Sequence, residues 1–160
     1  MIIKVIGAFL AILSFAIMLE TPKKYIVFAG IVGAVGWFVF LFAGNLGAND
    51  VLATFLSALT IAFISHVFAR IFKMPVTGFL IAGILPTVPG AGMYHIGYYL
   101  FQSNMEMTGY YISSTLQIAG VIAAAIFIMD AIFRLNFLLL FSHKARRRPK
   151  KSVDKFSKIV

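Results

Sequence analysis

The chain has 160 residues, of which 61% are apolar and only 12% charged, and its mean hydropathy is +0.98. Soluble domains hold about 45–50% apolar and about 25% charged residues, so fourteen basic and five acidic side chains cannot clothe a water-facing surface, and the bilayer must be the solvent. The formal charge of +9 does not signal nucleic-acid binding: His143 to Val160 holds eight Lys or Arg against Asp154, a net +7 that leaves +2 for the other 142 residues.

A membrane-crossing helix needs about 20 mostly apolar residues at 1.5 Å rise each. The pattern predicts an all-α, polytopic integral membrane protein with five such segments, near residues 2–19, 25–42, 51–72, 75–101 and 109–140. They form a transmembrane domain over residues 1–142, followed by a basic tail over 143–160. Lys4 ahead of an apolar run resembles a secretory signal, but Ile17 to Pro22 lacks the small residues a cleavage site needs. Glu20 to Lys24, with Pro22 inside it, separates the first two segments. The turn-rich stretch Gly44 to Asp50 precedes the third, with Asp50 as the expected N-cap.

Loop charges test the topology independently, because cytoplasmic loops carry the Lys and Arg. Lys23 and Lys24 fall on one side, Asp50 on the other, Arg70 and Lys73 on the first, Glu106 on the second and the tail on the first. Five crossings in a bacterial cell membrane, N-terminus out and C-terminus cytoplasmic, satisfy every loop. A fourth segment that entered and left by one face would put the tail and the Arg70/Lys73 loop on opposite sides. The tail itself reads as a cytoplasmic anchor that attracts anionic lipid.

The fourth segment is interrupted by Pro86, Pro89, Gly90 and Gly92 within seven residues. Proline lacks the N–H and pushes its predecessor toward extended backbone, so the expectation is helix, unwound stretch, then a second half-helix beginning near Gly92. Irregular backbone at membrane depth survives only where protein or a watery cavity satisfies it. A half-helix starting there aims free N–H groups and a positive dipole end at the membrane interior, which suits a carboxylate. Tyr94 and His95 follow directly, one as a hydrogen-bond donor to that carboxylate and the other as a proton relay. The bland alternatives are a simple proline kink and a histidine bonded to a neighbouring helix.

Other intramembrane polar groups are few. His66 and Arg70 lie four apart near the inner end of the third segment, beside Ser65, either lining a vestibule for acidic solutes or, for Arg70, snorkelling to headgroups. Asp130 and Arg134, also four apart, read as a structural ion pair. Ala29 with Gly33, Gly30 with Ala34 and Gly120 with Ala124 are packing faces for this chain's own helices, a second copy or another subunit. Trp37 and the tyrosines divide between cavity aromatics and an interfacial belt, with Tyr110 and Tyr111 assigned to the belt. The chain has no cysteine, and it shows no Walker-type loop, His-Glu-x-x-His or nucleophile elbow, so neither an enzyme nor a metal or cofactor site is expected.

The stretch Ala69-Arg70-Ile-Phe-Lys73-Met-Pro75-Val-Thr77-Gly-Phe79, continuing through Pro86-Thr-Val-Pro89-Gly90-Ala-Gly92-Met-Tyr94, resembles the signature of the threonine/serine exporter family. More narrowly, it resembles the all-membrane C-terminal half of those exporters, which in split systems is a separate small subunit. The resemblance implies a larger membrane subunit of the same family as partner. It also implies export of small carboxylates, threonine and serine or a dicarboxylate such as succinate, driven by the proton gradient. Two other classes stay open: a non-transporting scaffold that stabilises a partner, and a small homo-oligomeric channel.

Overall fold

The computed structural model describes the backbone of residues 1–146 and the side chains of residues 1–135; most of the basic tail lies outside the described residues. Every regular element among them is helical: α1 (Ile2–Met18), α2 (Ile26–Asn45), α3 (Asp50–Phe72), α4 (Thr77–Ile84), α5 (Gly90–Phe101) and α6 (Met105–Arg146). Short 3₁₀ turns at Lys23–Tyr25 and Leu85–Thr87 lead into α2 and out of α4. The chain divides into two compact units, residues 1–130 and 131–160. The first holds α1 to α5 and α6 as far as Asp130; the described part of the second is helix.

Three helical stretches are long and apolar enough to cross a bilayer, Lys23–Asn45, Asp50–Phe72 and Met105–Leu135. Thr77–Thr87 and Gly90–Phe101, bent by 48°, make a fourth when taken as one span, and α1, with 17 residues, is shorter. Ile3, Phe101 and Phe127 are 85%, 91% and 75% exposed, a display of large apolar side chains that only lipid or other protein can cover. The chain is therefore a multi-pass membrane protein.

Local chemistry sets the ends. The N-cap of α3 is Asn49, not Asp50: its side chain accepts the Leu52 N–H at 2.9 Å, and Asp50 becomes the first helical residue, placed well for the helix dipole. α6 begins at Met105, four residues before the expected start near Gly109, because Asn104 caps it by accepting the Met107 N–H at 3.1 Å. α3 stops where Lys73 turns left-handed at φ 54°, ahead of Pro75.

α2 is the axis of the bundle and packs against α1, α3 and α4. Three glycines make that approach close. A Cβ at Gly30 would strike Phe9 and Leu13 of α1, one at Gly36 would strike Ile61 of α3, and one at Gly33 would meet both Ile12 and the Gly83 carbonyl of α4. Ser57 fixes the α2–α3 contact by donating to the Gly36 carbonyl at 2.8 Å. In lipid no hydrophobic force drives helices together, so such backbone approach and interhelical bonding carry the association. The buried core of Ile12, Ala16, Ala29, Val32, Ile61, Phe79 and Ala82 is extended by rings around Phe79, with Tyr25, Phe68 and Phe72 all about 6 Å from it.

Candidate functional site

The broken helix starts from α4, held by Gly83 against Gly33 of α2. Pro86 and Pro89 withdraw two donors, so the carbonyls of Ala82 and Leu85 lose their α-helical partners. The chain responds by tightening: Val88 N–H donates to Leu85 O at 3.3 Å, and the Thr87 hydroxyl donates to Ile84 O at 2.7 Å. Val88 is extended, and Pro89 at φ −77°, ψ 55° forms an inverse γ-turn closed by Gly90 N–H to Val88 O at 2.8 Å. α5 starts at once at Gly90. The unwound stretch is thus shorter than the sequence suggests, because a 3₁₀ turn and a γ-turn absorb both prolines and rewinding precedes Gly92.

Within the first turn of α5, Met93 N–H reaches Pro89 O at 3.2 Å, while the N–H groups of Ala91 and Gly92 have no backbone acceptor among the described residues. These are the orphan donors of a helix start. Gly92 faces α6: a Cβ there would collide with the Thr115 hydroxyl, whose Oγ1 is the nearest atom, ahead of Cβ at 3.6 Å and Cγ2 at 3.9 Å. One turn on, His95 stacks on Tyr111 at 4.7 Å, and Tyr99 stacks on the same ring at 5.5 Å and 10°. Tyr111 therefore packs between helices, whereas Tyr110 is 64% exposed. His95 Nδ1 and Thr115 Oγ1 are both buried without a hydrogen-bond partner.

Other residues singled out from the sequence fall elsewhere. Tyr94 is 67% exposed and stacks on Tyr98 at 6.2 Å. Half-buried Pro86, with Leu85, lines an open cleft of about 350 Å³ together with Lys4, Ala8, Ala11 and Phe15 of α1 and Trp37 of α2. His66 is buried in α3 and Arg70, one turn on, is exposed. Both Arg70 and Asp130 of α6 lie within electrostatic reach of His66. Asp130 and Arg134 occupy α6 four residues apart. Among the described residues no group of three His, Cys, Asp or Glu is arranged to hold a metal.

Sequence reasoning passed over Thr115 and weighed Lys4 only as part of an apparent secretory signal. The available signal for Thr115 was the polar run Ser113-Ser114-Thr115 in an otherwise apolar span.

The family described as threonine/serine exporter, ThrE, matches residues 4–132. Neither the curated proteins nor the solved structures offer a match.

Proposed function

The chain belongs to the threonine/serine exporter family, a family of transporters rather than enzymes, and from that premise we propose that it is the small membrane subunit of a two-component secondary exporter of small carboxylates. Threonine, serine or a dicarboxylate such as succinate is the cargo, the proton gradient is the driving force, and a larger membrane subunit of the same family is the partner. The subunit lies in the cell membrane with its N-terminus out and its basic tail cytoplasmic. One observation carries this reading: Ala91 and Gly92 present unbonded N–H groups at the start of a helix that follows a break inside an apolar span. Such a terminus holds a carboxylate with about 0.3–1 kcal/mol of dipole attraction, and up to about 2 when partly buried.

In this mechanism Pro86 and Pro89 keep the break open, Gly90, where a Cβ would meet nothing within 4 Å, allows the cargo to approach the backbone, Gly92 lets α6 close against the start of α5, and His95 carries the coupling proton. Tyr94, in the first turns of the same half-helix, is the hydrogen-bond donor to the cargo carboxylate. His66 and Arg70, with Asp130 nearby, form the cytoplasmic vestibule, and Asp130 with Arg134 is the structural pair on α6. Pro89→Ala and Gly90→Leu test the reading. Each is expected to leave membrane insertion and complex assembly intact while lowering counterflow of L-threonine or succinate at least tenfold in proteoliposomes. A scaffold would lose assembly instead, and full export by the chain alone would exclude a two-component system.

A further inference from the structure

Buried polar side-chain atoms without a hydrogen bond are few here: among the described residues they are Ser65 Oγ, His95 Nδ1 and Thr115 Oγ1. Two of the three lie on the α5–α6 interface. Thr115 is 8% exposed, and its hydroxyl, rather than its methyl, is the atom turned toward Gly92 in the first turn of α5. A threonine inside a helix ordinarily bonds its hydroxyl to the carbonyl four residues back. Thr108 on the same helix does so, donating to Asn104 O at 2.8 Å. Thr115 does not; its hydroxyl stands against the α-carbon of Gly92, in the helix turn where the N–H groups of Ala91 and Gly92 have no backbone acceptor among the described residues. A buried hydroxyl left unpaired is unfavourable, and a donor set of two amides and one hydroxyl at a positive helix end matches a carboxylate oxygen.

We infer that Thr115 is a substrate-binding residue that donates a hydrogen bond from its hydroxyl to the substrate carboxylate held at the N-terminus of α5. The inference rests on the carboxylate-exporter reading and deepens it by adding α6 to the site. Glycine at position 92 then has a defined task, since any Cβ there displaces the hydroxyl. The neighbouring His95 Nδ1, also unpaired, lies on the same α5 face, one turn along, where a proton moving with the substrate is received.

The test uses the full chain, purified in the complex it forms, with binding and counterflow of L-threonine and of succinate as readouts and thermal unfolding as the fold control. Thr115→Val keeps the shape and removes the hydroxyl. It is expected to fold at least as stably as the parent, because it abolishes an unpaired buried group, yet to bind the preferred probe about tenfold more weakly. Thr115→Ser is expected to retain binding within about threefold, and Thr108→Val, away from the break, to bind like the parent. A purely structural Thr115 predicts unchanged affinity in Thr115→Val, and that result overturns the inference alone. So does unfolding of Thr115→Val and Thr115→Ala while Thr115→Ser folds, which makes the hydroxyl a packing requirement. Absence of binding and counterflow of both probes in the parent complex overturns the exporter reading and this inference with it.

Discussion

Gly33→Ala probes whether backbone contact between α2 and α4 sets the position of the break. The added Cβ would press on Ile12, with Cγ1 at 3.0 Å, and on the Gly83 carbonyl at 3.1 Å. Ile12 is fully buried, and the second neighbour is backbone, so neither gives way cheaply. Overpacking of this kind costs about 1–3 kcal/mol, while alanine in a helix interior gains about 0.5–1 kcal/mol over glycine, a net loss of about 0–2.5 kcal/mol. Gly97→Ala on α5 is the matched control: a Cβ there meets nothing within 4 Å, so only the helical gain of about 0.5–1 kcal/mol remains. The two variants should differ by the strain itself, about 1–3 kcal/mol. At about 2–4 °C per kcal/mol for a chain of this length, thermal unfolding followed by circular dichroism in detergent separates them by several degrees. Superimposable melting curves would refute the glycine crossing as the feature that fixes α4 and the turn beyond it.

Ser57→Ala removes the bond to the Gly36 carbonyl and leaves that carbonyl facing a methyl group. The expected loss is about 0.6–1.5 kcal/mol, read as a lower unfolding midpoint with unchanged helix content. His95→Ala is expected to preserve complex formation while weakening the response of counterflow to an imposed proton gradient; a parent-like response would remove His95 from the proton path. The Pro89 and Gly90 variants and the Thr115 series complete the set, the first separating a pathway element from a scaffold and the second isolating the hydroxyl.

What the sequence alone determined are properties carried by composition and local covalent geometry. Helical class and membrane residence follow from hydropathy, because a backbone in hydrocarbon must bond to itself. The interruption of the fourth segment follows from Pro86 and Pro89, which withhold their donors in any environment. Even there, the length of the unwound stretch was not legible, since a γ-turn at Pro89 lets α5 rewind at Gly90. Tertiary structure alone decided which faces meet. Gly33 and Gly120 both follow the small-residue spacing, yet Gly33 meets another helix's backbone and Gly120 meets nothing within 4 Å. Tyr111 and Tyr110 are neighbours in sequence, but one packs between His95 and Tyr99 and the other is exposed. Thr115 gains its meaning only when Gly92 is placed opposite it. The physical reason is common to all three: in a bilayer, lipid and protein neighbours are equally apolar, so hydropathy marks a span without marking its buried face, and only the packed helices show which small or polar residue has a partner.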